Sequence, residues 1–170
     1  MDLDPLETHL LDSLRALPAG RGGDAAQADA IWRAQVGSRL CDFAARYLQS
    51  TGRSFYSIAS AGHESNAAVA LALRPTDPAL LHYRSGAFYL ARAAQVGRDG
   101  VPDILQGVTA AREEPIAGGR HKVFGNHALA VIPQTSTIAS HLPRAVGVAF
   151  AIERARKLGV ESAWPPDAAA

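Results

Sequence analysis

The longest helical pattern in the chain predicts one core helix between Asp24 and Leu48. Apolar side chains that recur about once per helical turn gather on one face of an α-helix. The side chains that recur in this way are Ile31, Val36, Leu40, Phe43 and Tyr47. A helix of this length requires neighbours that cover its apolar face, so the sequence predicts a helix-rich domain organised around this segment.

Further helices are predicted before and after the core helix. They cover residues 4–17, 64–73, 86–95, 101–112 and 141–158. The start of the last one is the clearest boundary, because Ser140 has the position of an N-cap and Pro143 falls in the first turn. Leu80 to Tyr83 is a candidate for a short strand.

Composition and charge restrict the classes of protein that fit. Hydrophobic residues make up 48% of the 170 residues, which is enough for one buried core. The net charge of +1 argues against sequence-independent binding to nucleic acid. The single cysteine, Cys41, provides no disulfide framework and fits a reducing compartment, so we expect a cytoplasmic protein. We also expect no secretory signal and no membrane span.

Local motifs for several kinds of chemistry are absent from the sequence. There is no Gly-x-Ser-x-Gly turn for a nucleophilic serine, and Cys41 lies within a predicted helix, where packing explains it. The six histidines lack His-Glu-x-x-His spacing, and neither a P-loop nor a dinucleotide-binding Gly-x-Gly-x-x-Gly occurs. We therefore predict no metal site and no nucleotide site of either kind in this chain.

Tyr83 and Arg84 form an informative pair of neighbours. They lie where the candidate strand passes into the predicted helix that begins at Gly86. An arginine at such a junction holds its guanidinium beside the backbone N–H groups of a helix start, which suits a phosphate. A surface arginine beside a packed tyrosine is the alternative that the pair alone leaves open.

Two other segments have the composition of a ligand site. Residues 134–140 hold four hydroxyl groups directly before a helix and can offer several hydrogen bonds to a polar heterocycle. The glycine-rich, basic loop 118–122 suits an anion, although a solvated basic loop explains it equally well. Glu64 is interpreted as a first-turn carboxylate that interacts with a helix dipole.

In their order along the chain, these segments resemble the alpha half of a known enzyme. This is the thiamine-diphosphate-dependent decarboxylating component of 2-oxo acid dehydrogenase complexes, the group of the pyruvate and branched-chain 2-oxo acid enzymes. The resemblance covers about Trp32 to Leu158 and is most similar, over Ile132 to Gly147, to forms in which alpha and beta halves are fused. The matching pieces are Phe55-Tyr56, Gly62-His63-Glu64, Thr76-Asp77, Tyr83-Arg84, Gly119-Arg120 and Ile138 to Gly147.

The resemblance implies a fold and a division of the chain. The fold would be the α/β thiamine-diphosphate-binding fold in incomplete form, a helix-rich N-terminal portion with few parallel strands. Residues 1–23 would form a helical arm and linker, and residues 24–170 a partial cofactor-binding domain. The magnesium motif of the family, Gly-Asp-x followed by asparagine, would begin beyond Ala170, so the sequence is expected to be a fragment.

The resemblance also assigns roles to individual residues. Tyr83 and Arg84 would contact the cofactor diphosphate, while Ser136 and Ile138 would lie against the aminopyrimidine ring. The positions implied on the substrate side are Phe55, Tyr56, His121 and His127. Magnesium would be held by residues outside this chain, and the glutamate that activates the cofactor would come from the beta half.

The implied activity is oxidative decarboxylation of a 2-oxo acid, with transfer of the acyl group to a lipoyl arm. The implied partners are a beta half or beta subunit, a lipoyl-bearing acyltransferase component, and further copies in a homo-oligomer of the complete enzyme. Without the magnesium ligands we expect this chain alone to turn over no 2-oxo acid. A non-catalytic assembly or regulatory module derived from the same subunit is the alternative.

Overall fold

The computed structural model describes residues 5–16, 24–55, 58–114, 116 and 123–170, and helices dominate these ranges. They are α1 (Pro5–Arg15), α2 (Ala25–Ser50), α3 (Asn66–Ala72), α4 (Gly86–Gln95), α5 (Val101–Val108) and α6 (His141–Leu158). One turn of 3₁₀ helix, His127–Leu129, lies between α5 and α6. The predicted helix-rich character is confirmed, and α4 has the predicted bounds. None of the helices in these ranges combines the length and apolar character that a membrane crossing requires.

The long helix α2 forms as predicted, but it turns a different face to the core. Asp24 caps its N-terminus by accepting a hydrogen bond from the N–H of Ala26 at 2.9 Å. Its buried residues are Ala34, Ser38, Cys41, Asp42 and Ala45. Leu40, Phe43 and Tyr47 are 50–67% exposed, so their predicted place in the core is wrong. The buried face consists of small side chains, which allow neighbouring helices to approach closely.

Helix α4 lies at the centre of the packed interior. It contacts α2 and α3, and α2 also contacts α5. Seven of its ten residues are buried, Gly86 among them. A Cβ at Gly86 would lie 2.8 Å from Oγ of Ser38 and 2.9 Å from Oγ of Ser60. Glycine is required there because the backbone of α4 approaches these hydroxyls too closely for any side chain.

A fully buried arginine on α4 holds the surrounding loops. Arg92 donates hydrogen bonds from Nη1 to the carbonyl oxygens of Asp77 (2.9 Å), Pro75 (3.2 Å) and Leu129 (3.2 Å). Its guanidinium lies 5.2 Å from the centre of the Phe88 ring. Burial lowers the pKa of Arg92, and the charge of Asp77 opposes this effect. One side chain thereby joins the turn that follows α3 to the 3₁₀ turn.

Extended structure in the described ranges is limited to two isolated β-bridges. Ala79 pairs with Val131 in parallel sense, accepting from the N–H of Ile132 (2.8 Å) and donating to the carbonyl of Ala130 (2.9 Å). The pairing stays short because Ala130 has a φ of 53°, a left-handed conformation that ends the extended backbone. The prediction of a strand at Leu80 to Tyr83 is wrong, and the expected parallel strands are reduced to this one pair.

Helix α6 lies at the margin of the packed region. Among its residues only Ile152 is buried. Leu142, Val146 and Phe150 share one face at intervals of four residues, and each is more than half exposed. The segment after α6 returns towards the core, where Arg74 pairs with Asp167 at 2.9 Å.

The same arginine also pairs with a buried carboxylate. Arg74 donates to Asp77 at 2.9 Å, and the N–H of Ala169 donates to Asp77 at 3.2 Å. Burial raises the pKa of Asp77, but the hydrogen bonds from Arg74 and Ala169 outweigh burial and hold this pKa below its ordinary value. Asp77 is therefore a charged anchor for the tail.

Candidate functional site

The segment that carries Tyr83 and Arg84 lies immediately before α4 and is oriented by its own contacts. The Arg84 guanidinium donates from Nη1 to the carbonyl oxygen of Ala59 and lies 5.6 Å from the centre of the Tyr83 ring. The backbone N–H of Arg84 donates to Nδ1 of His82 at 3.2 Å. The side chains of residues 82–84 are partly buried. The protein itself therefore sets the direction of the guanidinium.

The start of α4 is closed to a ligand, in contrast to the expectation for this junction. Ser85 and Gly86 are buried. The N–H of Phe88 donates to Oδ1 of Asn66 at 2.9 Å. An anion beside Arg84 would therefore be held by side chains rather than by the N–H groups of the helix start.

Buried Asp42 anchors the loop that carries His63. Its Oδ1 accepts a hydrogen bond from the N–H of Ser60 at 2.8 Å, which ties the loop to α2. Glu64 accepts from the N–H of Gly62 at 2.7 Å. Helix α3 begins two residues after Glu64, so this carboxylate stabilises the turn before the helix and is not the predicted first-turn residue.

The hydroxyl-rich turn 134–140 is stabilised in part by its own side chains. The hydroxyl oxygens of Thr135 and Ser140 lie 3.0 Å apart, and Ser140 donates to the carbonyl oxygen of Thr137 at 2.8 Å. Ser140 has the predicted N-cap position of α6 but makes no capping hydrogen bond, because its hydroxyl is engaged in the turn. The turn presents Ile138 to solvent, 71% exposed.

Three histidines connect these segments. The ring of His82 lies 5.8 Å from the ring of His63 and nearly parallel to it, at 12°. It lies 6.3 Å from the ring of His141, at 65°. The His82 ring also packs on Tyr83 with a centroid distance of 3.8 Å. We call His63, His82 and His141 the histidine cluster.

The histidine cluster places two of the predicted site segments side by side. His141 is the first residue of α6 and directly follows the turn that contains Ser136 and Ile138. His82 directly precedes Tyr83 and Arg84. The contact between these two histidines therefore brings the arginine segment and the hydroxyl-rich turn to the same region of the surface.

The environment of His82 disfavours its charged form. Burial lowers the pKa of His82, and the positive charges of His63, His141 and Arg84 lower it further. Because Nδ1 accepts the N–H of Arg84, the proton of the neutral ring is assigned to Nε2. His82 is thus a neutral hydrogen-bond donor next to a fixed cation.

The residues predicted on the substrate side are not gathered at the histidine cluster. Phe55 is 89% exposed and follows Ser54, whose hydroxyl donates to the carbonyl of Val108 at the end of α5. His127 lines a separate cleft of about 740 Å³, which it shares with the Trp164 segment of the tail. Tyr56 and His121, like the rest of the loop 118–122, lie outside the described residues.

The described residues contain no group of three or more His, Cys, Asp or Glu side chains that could hold a metal ion. Comparisons with models of known protein families and with curated protein sequences find no match to this chain. Sequence reasoning missed the histidine cluster, because its members lie far apart along the chain and have no local spacing that marks them. Only the fold reveals it, by bringing together the loop before α3, the segment before α4 and the first residue of α6.

Proposed function

We propose that this chain supplies part of the thiamine-diphosphate site of a 2-oxo acid dehydrogenase. The residues that would contact the cofactor are Tyr83, Arg84, Ser136 and Ile138. The observation that supports this most strongly is the 6.3 Å contact between His82 and His141, because it sets an oriented cation and a hydroxyl-rich turn next to each other. A cofactor with an anionic end and a heterocyclic end needs both surfaces within its own length.

The chemistry of these side chains fits the two ends of the cofactor. A guanidinium directed by the Ala59 carbonyl and the Tyr83 ring is pre-organised to donate to phosphate oxygens. Ile138 offers an exposed apolar surface for one face of a ring, and Ser136 lies partly buried in the same turn. This chain would bind and orient the cofactor, which supplies the electron sink for decarboxylation when bound.

Other parts of the site would come from partners. The magnesium ligands and the glutamate that activates the cofactor belong, in this proposal, to segments outside this chain and to a beta half. A lipoyl-bearing acyltransferase would accept the acyl group, and further copies would complete a homo-oligomer. We therefore expect the pure 170-residue protein to show no decarboxylation of 2-oxo acids.

Calorimetric titration with thiamine diphosphate and magnesium, in the presence and absence of a beta half, tests the proposal. We expect binding that is strengthened by the beta half and weakened at least tenfold by Arg84→Ala, since a charge-assisted hydrogen bond to phosphate contributes about 1.5–3 kcal/mol. Arg154→Ala is the matched control, because this exposed arginine lies about 20 Å along α6 from the histidine cluster. Equal affinity of the wild type and the Arg84 variant would contradict the assignment.

The exposed apolar surface of α2 favours a second candidate function, a non-catalytic assembly or regulatory module. Trp32, Leu40 and Tyr47 are 60–67% exposed, and several large exposed apolar side chains on one helix are typical of protein contacts. Such a module needs no cofactor. Association with a beta half that is lost in Trp32→Ser, together with no heat of thiamine diphosphate binding, would favour this candidate over the first.

A further inference from the structure

The histidine cluster has a feature that the cofactor assignment does not use: three titratable rings meet beside a permanent cation. His63 is exposed, and His82 and His141 are partly buried, so a ligand can reach the cluster from solvent. His82 lies between the other two rings, at 5.8 Å and 6.3 Å. At these separations, a proton on one ring opposes protonation of its neighbours.

We propose that His63, His82 and His141 form part of an anion-binding surface next to Arg84, and that they take up protons when a phosphoryl anion binds. This inference rests on the proposed function, because it concerns the diphosphate end of the same site. A phosphoryl group brings negative charge next to Arg84 and the three rings. Its charge offsets the repulsion that a proton on one ring exerts on its neighbours, so binding and protonation favour each other.

The charges of all three packed elements are consistent with this behaviour. Arg84 adds a permanent positive charge on the segment of His82. Arg144, on the first turns of α6, donates to the carbonyl of Pro133 and to Oε1 of Gln134 and adds a permanent positive charge to that helix. Glu64 is the acidic residue on the loop of His63, and its Oε2 is engaged by the N–H of Gly62. The balance of fixed charge on these three elements is positive.

Hydrogen-bond geometry gives His82 a role even when it is neutral. Its Nδ1 accepts from the N–H of Arg84, so Nε2 carries the proton of the neutral ring and can donate to an anion. Protonation of the ring would place a hydrogen on Nδ1 opposite that N–H and break the contact. We therefore expect His63 and His141 to take up most of the proton, while His82 orients the ligand.

The test is calorimetric titration of the protein with inorganic diphosphate in buffers of different ionisation enthalpy. After correction for the protons that free diphosphate itself binds, net proton uptake is expected near pH 6.5, and in that range the affinity should fall as the pH rises, by up to about tenfold per pH unit for each proton taken up. The double variant His63→Gln/His141→Gln should lose most of the uptake while it still binds diphosphate at high pH. His9→Gln, an exposed histidine on α1, is the matched control and should retain the uptake.

A second measurement needs no variant. The ring resonances of the cluster histidines in the wild-type protein should titrate at higher pH when diphosphate is present than when it is absent. Binding without proton uptake, or unchanged uptake in the double variant, would overturn the inference and leave the cofactor proposal standing. Absence of diphosphate binding at every pH would also overturn the inference, whereas the cofactor proposal is tested separately by the titration with thiamine diphosphate, magnesium and a beta half.

Discussion

Helices α4 and α6 each contain four alanines, one phenylalanine and one glycine, yet one is mostly buried and the other mostly exposed. Seven of the ten residues of α4 are buried, against one of the eighteen of α6. The difference follows from what surrounds each helix. Helix α4 contacts α2 and α3 across small side chains, whereas Leu142, Val146 and Phe150 of α6 remain exposed. Composition alone therefore does not decide which helix forms a core.

The comparison also shows how close packing depends on small residues. Gly86 allows the first turn of α4 to rest against the hydroxyls of Ser38 and Ser60. At Gly147 in α6, no atom of the described residues outside the adjoining helix backbone lies within 4 Å of the position that a Cβ would occupy. The same residue type is thus a packing requirement in one helix and a source of backbone freedom in the other.

The largest effect on stability is expected for Arg92, the buried arginine of α4. Arg92→Ala should lower the free energy of unfolding by about 2–5 kcal/mol, because it leaves three carbonyl acceptors without their donor and a cavity where the buried side chain was. Denaturant unfolding followed by circular dichroism measures this loss of unfolding free energy. Arg98→Ala, at an exposed position, is the control and should change little. Similar losses in both variants would mean that Arg92 is not the anchor of these loops.

A methyl group at Gly86 tests directly whether the backbone of α4 lies against the hydroxyls of Ser38 and Ser60. Gly86→Ala should destabilise the protein by about 1–3 kcal/mol, because the new Cβ would lie within 2.9 Å of two serine oxygens. Gly107→Ala in α5, where the new Cβ meets nothing within 4 Å, is the matched substitution. Differential scanning calorimetry of both variants gives the comparison, and a neutral Gly86→Ala would show that α4 lies further from α2 than described.

The same substitution in α6 should have the opposite sign. Gly147→Ala is expected to stabilise the protein by about 0.5–1 kcal/mol, since alanine loses less backbone entropy than glycine in an exposed helix. Thermal unfolding is a sufficient measurement. A destabilised variant would place Gly147 in a packed interface, and the contrast between the two helices would then fail.

The smallest effect concerns the histidine cluster, which joins the segment before α4 to the first residue of α6. The pKa of His82 is lowered by burial and by neighbouring positive charges, so it lies below the unfolded value of about 6.5. Between the two values the unfolded chain binds more protons, so this contribution to stability is complete above about pH 6.5 and is lost as the pH falls through the folded value. His82→Gln should flatten the dependence of unfolding free energy on pH in acid, and His9→Gln should not. An unchanged dependence would show that the His82 environment does not penalise its charge.

Local pattern was sufficient for much of the helical architecture. The bounds of α4 and the beginning of α6 follow from glycine, proline and serine at helix ends, which act through the nearest backbone atoms. The face that α2 buries does not follow from such rules. Periodicity marks Leu40, Phe43 and Tyr47 as apolar, but the small side chains on another face determine how closely α4 can approach.

In the candidate site, too, local sequence predicts some features and leaves others unpredicted. The position before a helix indicates Tyr83 and Arg84 as candidate binding residues. The hydroxyl groups of the turn with Ser136 indicate that turn in the same way. The proximity of these segments depends on histidines at 63, 82 and 141, which no local rule connects. Arg92 was missed for the same reason, because its carbonyl partners come from two distant turns.

Because Arg92 is hydrogen-bonded to carbonyl oxygens of both the turn after α3 and the 3₁₀ turn, we expect these two turns to open together. Across the parallel pair, the N–H of Ile132 donates to the carbonyl oxygen of Ala79 and the N–H of Ala79 donates to the carbonyl oxygen of Ala130, next to the carbonyls that the guanidinium holds. The amide hydrogens of Ala79 and Ile132 are protected from exchange with solvent while these hydrogen bonds are formed. In heavy water, the amide hydrogens of Ala79 and Ile132 should therefore exchange at one common, slow rate. The two loops would form a small cooperative unit that opens only when the hydrogen bonds of Arg92 break.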